Sequence, residues 1–307
     1  MDVIKGKKIF VGLSGGVDSA VSAALLKEAG AQMIGVFIKG WYPRGMPCTW
    51  AAERRDAMRV AARLHIPFLT LDASAEYKKH VIDYLLSEYS EGRTPNPDVM
   101  CNREVKFGAF YRYAKEHGAD AIATGHYRTG EKDQSYFLWA VPKEILEATI
   151  FPVGHMEKNE VRKLAKKFNL PVSEKRDSQG ICFLGAVSVK EFLEQEFGND
   201  NPALLYTIGQ KVEGGYVTGK DVEKKEITVS KTRAGGAREI RFTDANWFNE
   251  PAHATEAQYR YRGPRCTGLV EDGQFISSEP LPELPAPGQS IVLYRGDELI
   301  GGGIIAA

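Results

Sequence analysis

The residues best suited to chemistry in this 307-residue chain fall in three short strings. The first is "SGGVDS", Ser14 to Ser19, directly after the apolar run "KKIFVGL". Gly15 and Gly16 permit backbone shapes that bring N–H groups close to an anion, and a helix opening near Asp18 would aim its first amides the same way. Ser14 and Ser19 add hydroxyl donors. The loop holds no lysine, so it is not the Gly-Lys-Ser/Thr phosphate loop. Asp18 would repel phosphate unless it holds a Mg²⁺ ion or caps the helix. A plain structural turn is the other reading, and the full six-residue string behind a strand favours phosphate.

The second string is "RTPNPDVMCNREVKF", Arg93 to Phe107. Asn96-Pro97-Asp98 is confined to extended or bent backbone. Asp98 precedes Cys101 by three residues, and a helix is expected soon after Cys101. A thiol near a helix N-terminus gains thiolate character, and a neighbouring carboxyl can shuttle a proton. A capped helix with a buried cysteine fits these residues equally well. The third string is "EKRDSQGICFLG", Glu174 to Gly185. Cys182 follows a glycine-containing turn near Lys175 and Arg176, and such cations also favour thiolate. A half-buried cysteine on a strand is the alternative.

These strings need elements to hold them. "KKIFVGLS", "QMIGVFIKG", "PFLTLDA" and "DAIATGH" read as strands, with a helix between the first two that ends at Gly30. Ala57, Val60, Ala61 and Leu64 have helical spacing, and further helices are expected near 75–90 and 105–117. Strands separated by helices predict an α/β fold, a doubly wound parallel sheet whose ligands bind at the strands' carboxyl ends. The glycine loop, "FIKGW" and "TGHY" all fall there. From 142 to 195 the pattern is helical, with Val161, Leu164, Ala165 and Phe168 on one face. After 205, "LYTIG", "GGYVTG", "KEITVSK", "EIRFTD", "QYRYRG", "GQFISS" and "SIVLYRGDELIGGGII" read as short strands of a small barrel or sandwich. "YRGDEL" is a hairpin turn, and "SSEPLPELPAPGQ" an extended connection. The expected division is 1–150, an α/β nucleotide domain; 151–210, a central helical segment carrying Cys182; and 211–307, a β-barrel domain.

Composition narrows the class. Forty basic and forty acidic residues give zero net charge, which excludes a protein that is basic all over and permits a local basic patch. Residues 158–176 are such a patch, with seven Lys/Arg against two Asp/Glu, although a solvated helix face accounts for most such runs. No apolar run reaches the roughly 20 residues of a membrane span. The N-terminus runs at once into a strand and is no signal peptide. A cytoplasmic protein with no membrane association is expected. Its four cysteines, Cys48, Cys101, Cys182 and Cys266, form no C-x-x-C pair, so a zinc finger is disfavoured. Cys48 and Cys266 read as small packed residues.

"GLSGGVDS" resembles the pyrophosphatase loop (PP-loop) of the N-type ATP pyrophosphatases, which split ATP into AMP and pyrophosphate. A lysine-free nest suits holding pyrophosphate as the leaving group. Taken in order behind that loop, "PNPDVMCN", "KDQSYFL", "DSQGICF" and "YTIGQ" resemble the tRNA-specific 2-thiouridylases. "RYRG", "PGQSIVLY" and "GGGII" also look like that family's barrel. The resemblance implies an adenine nucleotide alpha hydrolase-like fold and sulfur transfer to a wobble uridine in tRNA, releasing AMP and pyrophosphate. It implies that Gly12, Leu13, Ser14, Gly15, Gly16, Val17, Asp18 and Ser19 hold ATP with Mg²⁺, with Ile38 and Gly125 beside adenine and ribose. Asn96, Pro97 and Asp98 meet the flipped-out base, and Asp98 assists proton transfer. ATP adenylates the C2 oxygen, Cys182 carries the incoming persulfide sulfur, and Cys101 resolves the intermediate, leaving a Cys101–Cys182 disulfide. His126, Lys132, Asp133, Gln134, Arg260, Tyr261 and Gln289 take the family's tRNA-contact positions. On the residues alone, His126 reads nearly as well as a backbone-bonded histidine, and Arg260-Tyr261-Arg262 as a strand with outward charges. A persulfide donor protein and a monomeric state complete the picture.

The chain departs from the family in two places. Only "RTGE" separates "GHY" from "KDQSYF", where the family carries a hairpin, and the stretch between "EFL" and "YTIGQ" is short. Both cuts remove expected RNA-contacting surface and leave the ATP loop, Asp98 and both cysteines intact. Three rivals stand beside this reading. One is an AMP-forming ligase of the same fold acting on a small molecule, which would not need paired cysteines. Another is a non-catalytic RNA-binding protein. The third keeps the activity but lets Cys101 and Cys182, with Cys48 or Asp98, ligate an iron–sulfur cluster.

Overall fold

Five strands run parallel in the N-terminal half, in the order β3-β2-β1-β4-β5. The computed structural model describes residues 4–43, 50–176, 188–233 and 235–306, so Cys48 and Cys182 lie outside the described residues. The chain forms two compact units, Met1–Lys78 with Cys101–Ala186, and Lys79–Met100 with Val187–Ala307.

The first unit begins with β1 (Lys8–Gly12), α1 (Val17–Glu28), β2 (Gln32–Lys39), α2 (Trp50–Arg63), β3 (Phe68–Asp72) and the short α3 (Ser74–Tyr77). Helix α1 is rich in alanine, a strong helix former, and is buried on nearly all sides, including Ala20, Val21, Ala23, Ala24 and Leu26. Each fully buried Val or Leu of this kind contributes about 1.5–3 kcal/mol. The helix stops as expected at Gly30, whose φ of +81° lets Ala31 N–H reach back to Leu26 O at 3.2 Å. In α2 the inward face is Ala57, Val60 and Ala61, three of the four positions read from the spacing, and Leu64 just beyond the helix is buried with them.

A π-helical stretch, Lys78–Ile82, leads into α4 (Asp83–Ser90) and α5 (Pro97–Met100) of the second unit. A second π-helical stretch, Cys101–Ala109, and α6 (Phe110–Glu116) return to the first unit. The helix expected soon after Cys101 therefore starts four residues before that cysteine, at Pro97. Proline is favoured in a first helical turn because its missing N–H has no partner to lose there. Next come β4 (Ala121–Ala123), α7 (Lys143–Glu147), β5 (Thr149–Ile150) and α8 (Lys158–Lys167). The segment 142–195 was expected to be helical throughout. Its two-residue β5 pairs with β4 and extends the sheet, too short to show any periodicity. The order of strands reverses between β1 and β4, the switch point at which such sheets open a crevice.

The second unit continues with α9 (Val189–Phe197), capped by the reciprocal Ser188–Glu191 box, and α10 (Pro202–Leu205). "LYTIG" is not a strand, because Leu205 ends α10 and Ile208-Gly209 turn. A separate three-stranded sheet follows, β6 (Lys211–Val212), β7 (Gly215–Asp221) and β8 (Glu226–Ser230). The barrel begins only at β9 (Glu239–Trp247) and continues with β10 (Glu256–Gln258), β11 (Cys266–Glu271), β12 (Gln274–Ser277), β13 (Ser290–Arg295) and β14 (Glu298–Ile305). It closes in the order β10-β11-β12-β9-β14-β13 around Ile240, Phe242, Phe275, Leu293 and Ile300. "QYRYRG" leaves the barrel after Gln258, and Arg260–Gly263 is a turn. Arg262 sits at φ +60°, which a strand does not allow. Cys266 is half-buried against the barrel core, and burial pushes its thiol pKa up.

Candidate nucleotide site and target-base loop

In the first unit, the glycine loop leaves β1 at the switch point and braces itself. Ser14 N–H donates to Ser19 Oγ at 3.2 Å, and Gly16 N–H donates to Ser14 Oγ at 3.3 Å. Ser19 Oγ donates to Gly16 O at 3.2 Å. Gly15 has φ +76°, and a Cβ there would stand 2.4 Å from Glu53 O on α2, so only glycine fits. At the end of β4, a Cβ on Gly125 would stand 2.7 Å from Ser19 N. No side chain caps the first turn of α1. The result is a tight turn with helix amides behind it, the shape that accepts phosphate oxygens.

Asp18 neither caps the helix nor stands apart for a metal. Its Oδ1 accepts from Tyr127 O–H at 2.7 Å, and Lys158 Nζ donates to Oδ1 and Oδ2 at 2.7 and 2.9 Å. A second lysine reaches the loop from the other side. Lys175 Nζ donates to Gly15 O at 3.0 Å and to Asp56 Oδ2 at 2.7 Å. The loop lacks a lysine in its own string, yet two ammonium groups stand on it. Each is tethered by a carboxylate that fixes its position.

Leu13 and Val17 turn their side chains into the core, and Leu13 N–H is spent on Val36 O at 2.8 Å. Ile38 is half-buried on β2, in register with Leu71 of β3. His126 follows Gly125 and shares a 3.0 Å hydrogen bond with Thr124 Oγ1. Burial, with the Lys106 cation adding to it, pushes the imidazole down to about 3, so the ring is neutral at physiological pH.

The shortened "RTGE" connection is a closed turn. Gln134 N–H donates to Tyr127 O at 3.0 Å, and Tyr127 N–H donates to Gln134 Oε1 at 3.1 Å. Asp133 accepts from Ser135 N–H and Oγ at 2.8 and 2.9 Å. Of Lys132-Asp133-Gln134, the lysine is the exposed member. Tyr127 thus joins this turn to Asp18 of the glycine loop. Cys101 is 3% exposed at the start of its π-helical stretch.

In the second unit, Asn96, Pro97 and Asp98 are half-buried at the start of α5, anchored by the buried Val99 and Met100. Gln289, just before β13, donates from Nε2 to Thr94 O and Pro95 O at 2.9 and 3.2 Å. Arg260 pairs with Glu283 at 3.1 Å and donates to Ile208 O at 3.2 Å. Tyr261 and Arg262 beside it are exposed, and the Arg262 guanidinium lies 5.3 Å from the Tyr261 ring centre.

Comparison with known proteins places this geometry. Residues 7–186 match the family model described as the tRNA methyl transferase HUP domain, and residues 237–305 match the aminomethyltransferase beta-barrel domain. The tRNA-specific 2-thiouridylase MnmA of Streptococcus thermophilus is 38% identical over 97% of this chain and 95% of its own. The chain belongs to the tRNA-specific 2-thiouridylase family. The thiouridylase MnmA of Geobacillus thermodenitrificans is 37% identical over 97% of this chain and 94% of its own. Among solved structures, the U34-tRNA thiolase NcsA of Methanococcus maripaludis with its 4Fe-4S cluster is 22% identical, at TM-score 0.41, over 64% of this chain and 69% of that one. The alignment to the Streptococcus thiouridylase spans 355 positions while this chain has 307 residues, so at least 48 of those positions have no residue here.

Within the thiouridylase family frame, sequence reasoning missed three residues at the loop: Tyr127, Lys158 and Lys175 in its structural role. Lys175 reads from the sequence as a neighbour of Cys182 and as part of the basic run 158–176. Lys158 opens the basic run 158–176, which had been read as an RNA-facing patch or a solvated face. The signal was present as charge, but nothing in the string says that Lys158 and Lys175 face the loop. The structure groups Gly12–Ser19, Gly125, His126 and the Lys132–Gln134 turn in one unit, and Asn96–Asp98, Arg260, Tyr261 and Gln289 in the other.

Proposed function

We propose that the protein transfers sulfur to C2 of a wobble uridine in tRNA, consuming ATP and yielding 2-thiouridine, AMP and pyrophosphate. The observation that carries this reading is the near full-length identity to tRNA-specific 2-thiouridylases in a chain whose glycine loop is intact and furnished with two lysines.

The residues fit an ATP substrate. The loop and first-turn amides of Gly12 to Ser19 that remain after the Leu13, Ser14 and Gly16 bonds turn to the phosphates, and Lys158 and Lys175 cancel the Asp18 and Asp56 carboxylates beside them. Ile38 and Gly125 flank the adenosine. Mg²⁺ would come with ATP and would supply positive charge to its phosphates, while both Asp18 oxygens are engaged by Tyr127 and Lys158. No group of three or more His, Cys, Asp or Glu suited to a metal occurs among the described residues. Asn96, Pro97 and Asp98 meet the extruded base, and Asp98 moves a proton there.

The C2 oxygen of uracil is a poor leaving group. Attack of that oxygen on the α-phosphorus expels pyrophosphate and converts it into a good one. The terminal sulfur of a Cys182 persulfide then attacks C2 and AMP leaves. Cys101 thiolate attacks the Cys182 sulfur, the carbon–sulfur product keeps the transferred atom, and a Cys101–Cys182 disulfide remains for a thiol reductant. The partners are the tRNA and a persulfide-carrying donor protein, and the chain acts as a cytoplasmic monomer. Among the described residues no helix is long and apolar enough to cross a membrane.

One reaction tests the proposal: unmodified tRNA, Mg·ATP and a persulfide donor, with wild type beside Cys182→Ser. Pyrophosphate release and 2-thiouridine are followed together. Thiolation by wild type alone is the expected result. Pyrophosphate release without thiolation in either protein would move the small-molecule ligase to the front. Brown, iron-containing protein from anaerobic purification would replace the persulfide cycle with a cluster.

A further inference from the structure

The Ala286–Gln289 corner before β13 is fixed to the barrel on one side and to the target-base loop on the other. Gln289 N–H closes the turn on Ala286 O at 3.1 Å. Gly288 N–H donates to Ile305 O at 2.9 Å, and Ile305 N–H donates to Gln289 O at 2.8 Å, so the corner is locked to the end of β14. On its other side, Thr94 N–H donates to Pro287 O at 2.8 Å. The Gln289 amide spends its donors on Thr94 O and Pro95 O. Gly288, at φ +89°, lies so close that a Cβ would stand 2.9 Å from Thr94 N. Thr94 and Pro95 are buried, and the next residue is Asn96.

We infer that Gln289 is a positioning residue: it holds the Thr94 and Pro95 carbonyls so that Asn96, Pro97 and Asp98 are presented to the target uridine in one fixed backbone shape. This rests on the reading of Asn96–Asp98 as the base-meeting loop. A primary amide suits the task because its NH₂ has two donors, matching two successive carbonyls. Proline at 95 and 97 removes two backbone N–H groups from this loop, so its own ladder cannot hold it and an outside donor must. The barrel then does more than grip RNA, since its corner sets the geometry of the reacting base. Displacement of a reacting group by about 1 Å costs on the order of a hundredfold in rate.

The test separates this role from direct contact with tRNA. Gln289→Glu keeps the shape and turns an acceptor toward two acceptors, while Gln289→Met removes the donors. Amide hydrogen exchange of the tRNA-free protein is read beside steady-state thiolation. The expected result is faster exchange at Thr94, Asn96 and Asp98, with β13 and β14 protected as in wild type. The thiolation kcat falls by roughly tenfold to a hundredfold while the KM for tRNA shifts less than about threefold. Gly288→Ala, which leaves the amide in place and pushes on Thr94, is expected to reproduce the kcat loss. A raised KM with kcat and free-protein exchange unchanged would make Gln289 a direct tRNA contact and overturn the inference. Faster exchange with normal kcat would overturn it as well. Asp98→Asn, run in parallel, tests the underlying reading. If it thiolates normally, Asn96–Asp98 is not the base-meeting loop, and the exchange data still decide whether Gln289 holds it.

Discussion

Lys158 and Asp18 are 140 positions apart and are joined by two hydrogen bonds of 2.7 and 2.9 Å. The pair stands on the first turn of α1, with side chains only 15% and 31% exposed, so water screens it little. The carboxylate fixes an ammonium group beside the amides proposed to receive phosphate. The ammonium in turn offsets the negative charge that Asp18 would otherwise set against the nucleotide. A loop with no lysine of its own therefore carries one in space.

Lys158→Met is expected to lower kcat/KM for pyrophosphate release by on the order of 10²–10³, the usual loss for one charge-stabilising donor. Asp18→Asn should cost less, and the double variant should cost less than the product of the two, because the residues act as one unit. Pyrophosphate release measured across this cycle checks the claim, and full additivity would show that the pair is not a functional unit.

Gly15→Ala places a methyl against Glu53 O and forces a left-handed backbone on alanine. The strain alone is about 1–2 kcal/mol. ATP affinity should fall by more than tenfold while the barrel in the second unit keeps its exchange protection. Isothermal titration with a non-hydrolysable ATP analogue reads the first quantity. Wild-type affinity would mean that the loop does not cradle the phosphates.

His126 titrates far below an ordinary imidazole, at about 3. The unfolded chain takes up this proton near 6.5 and the folded chain only near 3. The unfolded state therefore holds more protons in between, so this group's contribution to stability is complete above pH 6.5 and is lost as pH falls toward 3. His126→Asn should flatten the fall in melting temperature between pH 6.5 and 4. A neutral ring contacts tRNA only by hydrogen bonding or stacking. A titration of tRNA affinity near pH 6.5 that disappears in His126→Asn would count against this assignment.

Glu283 holds two arginines of the second unit, with Oε1 3.1 Å from Arg233 and Oε2 3.1 Å from Arg260. Glu283→Gln is expected to cost about 2 kcal/mol, the scale of a hydrogen bond to a charged group. Arg260 would be released from Ile208 as well, so tRNA affinity should change together with stability. Urea denaturation and tRNA binding measured on the same variant check both, and unchanged stability would remove Arg260 from its structural role.

Much of this was legible in the string because the signals are local. The alternation of apolar runs and glycines is enough to place β1, α1 and β2. The Gly15-Gly16 pair marks a turn within its own string, while the clash of a Gly15 Cβ with Glu53 O on α2 is set by packing. Asn96 stays outside α5 because a proline follows it. The errors were local too. β5 is two residues long and carries no period, and "QYRYRG" has strand composition but turns because Arg262 adopts a left-handed backbone. The helix at Cys101 begins at Pro97, inside a string that had been read as a turn.

The sequence by itself determined the loop, the strings that carry the family resemblance and the fold class, a parallel sheet followed by a barrel. Only the tertiary structure decided how the polar side chains are spent. Gln289 and Arg260 stand at positions expected to touch tRNA, and in their own unit Gln289 Nε2 donates to two carbonyls while Arg260 donates to Ile208 O and pairs with the Glu283 carboxylate. Lys158 and Lys175, read as surface charge, meet the glycine loop instead. A residue's type fixes what bonds it can make. Which partner it finds at 140 or 195 positions' distance depends on how strands and helices pack, and no local pattern encodes that.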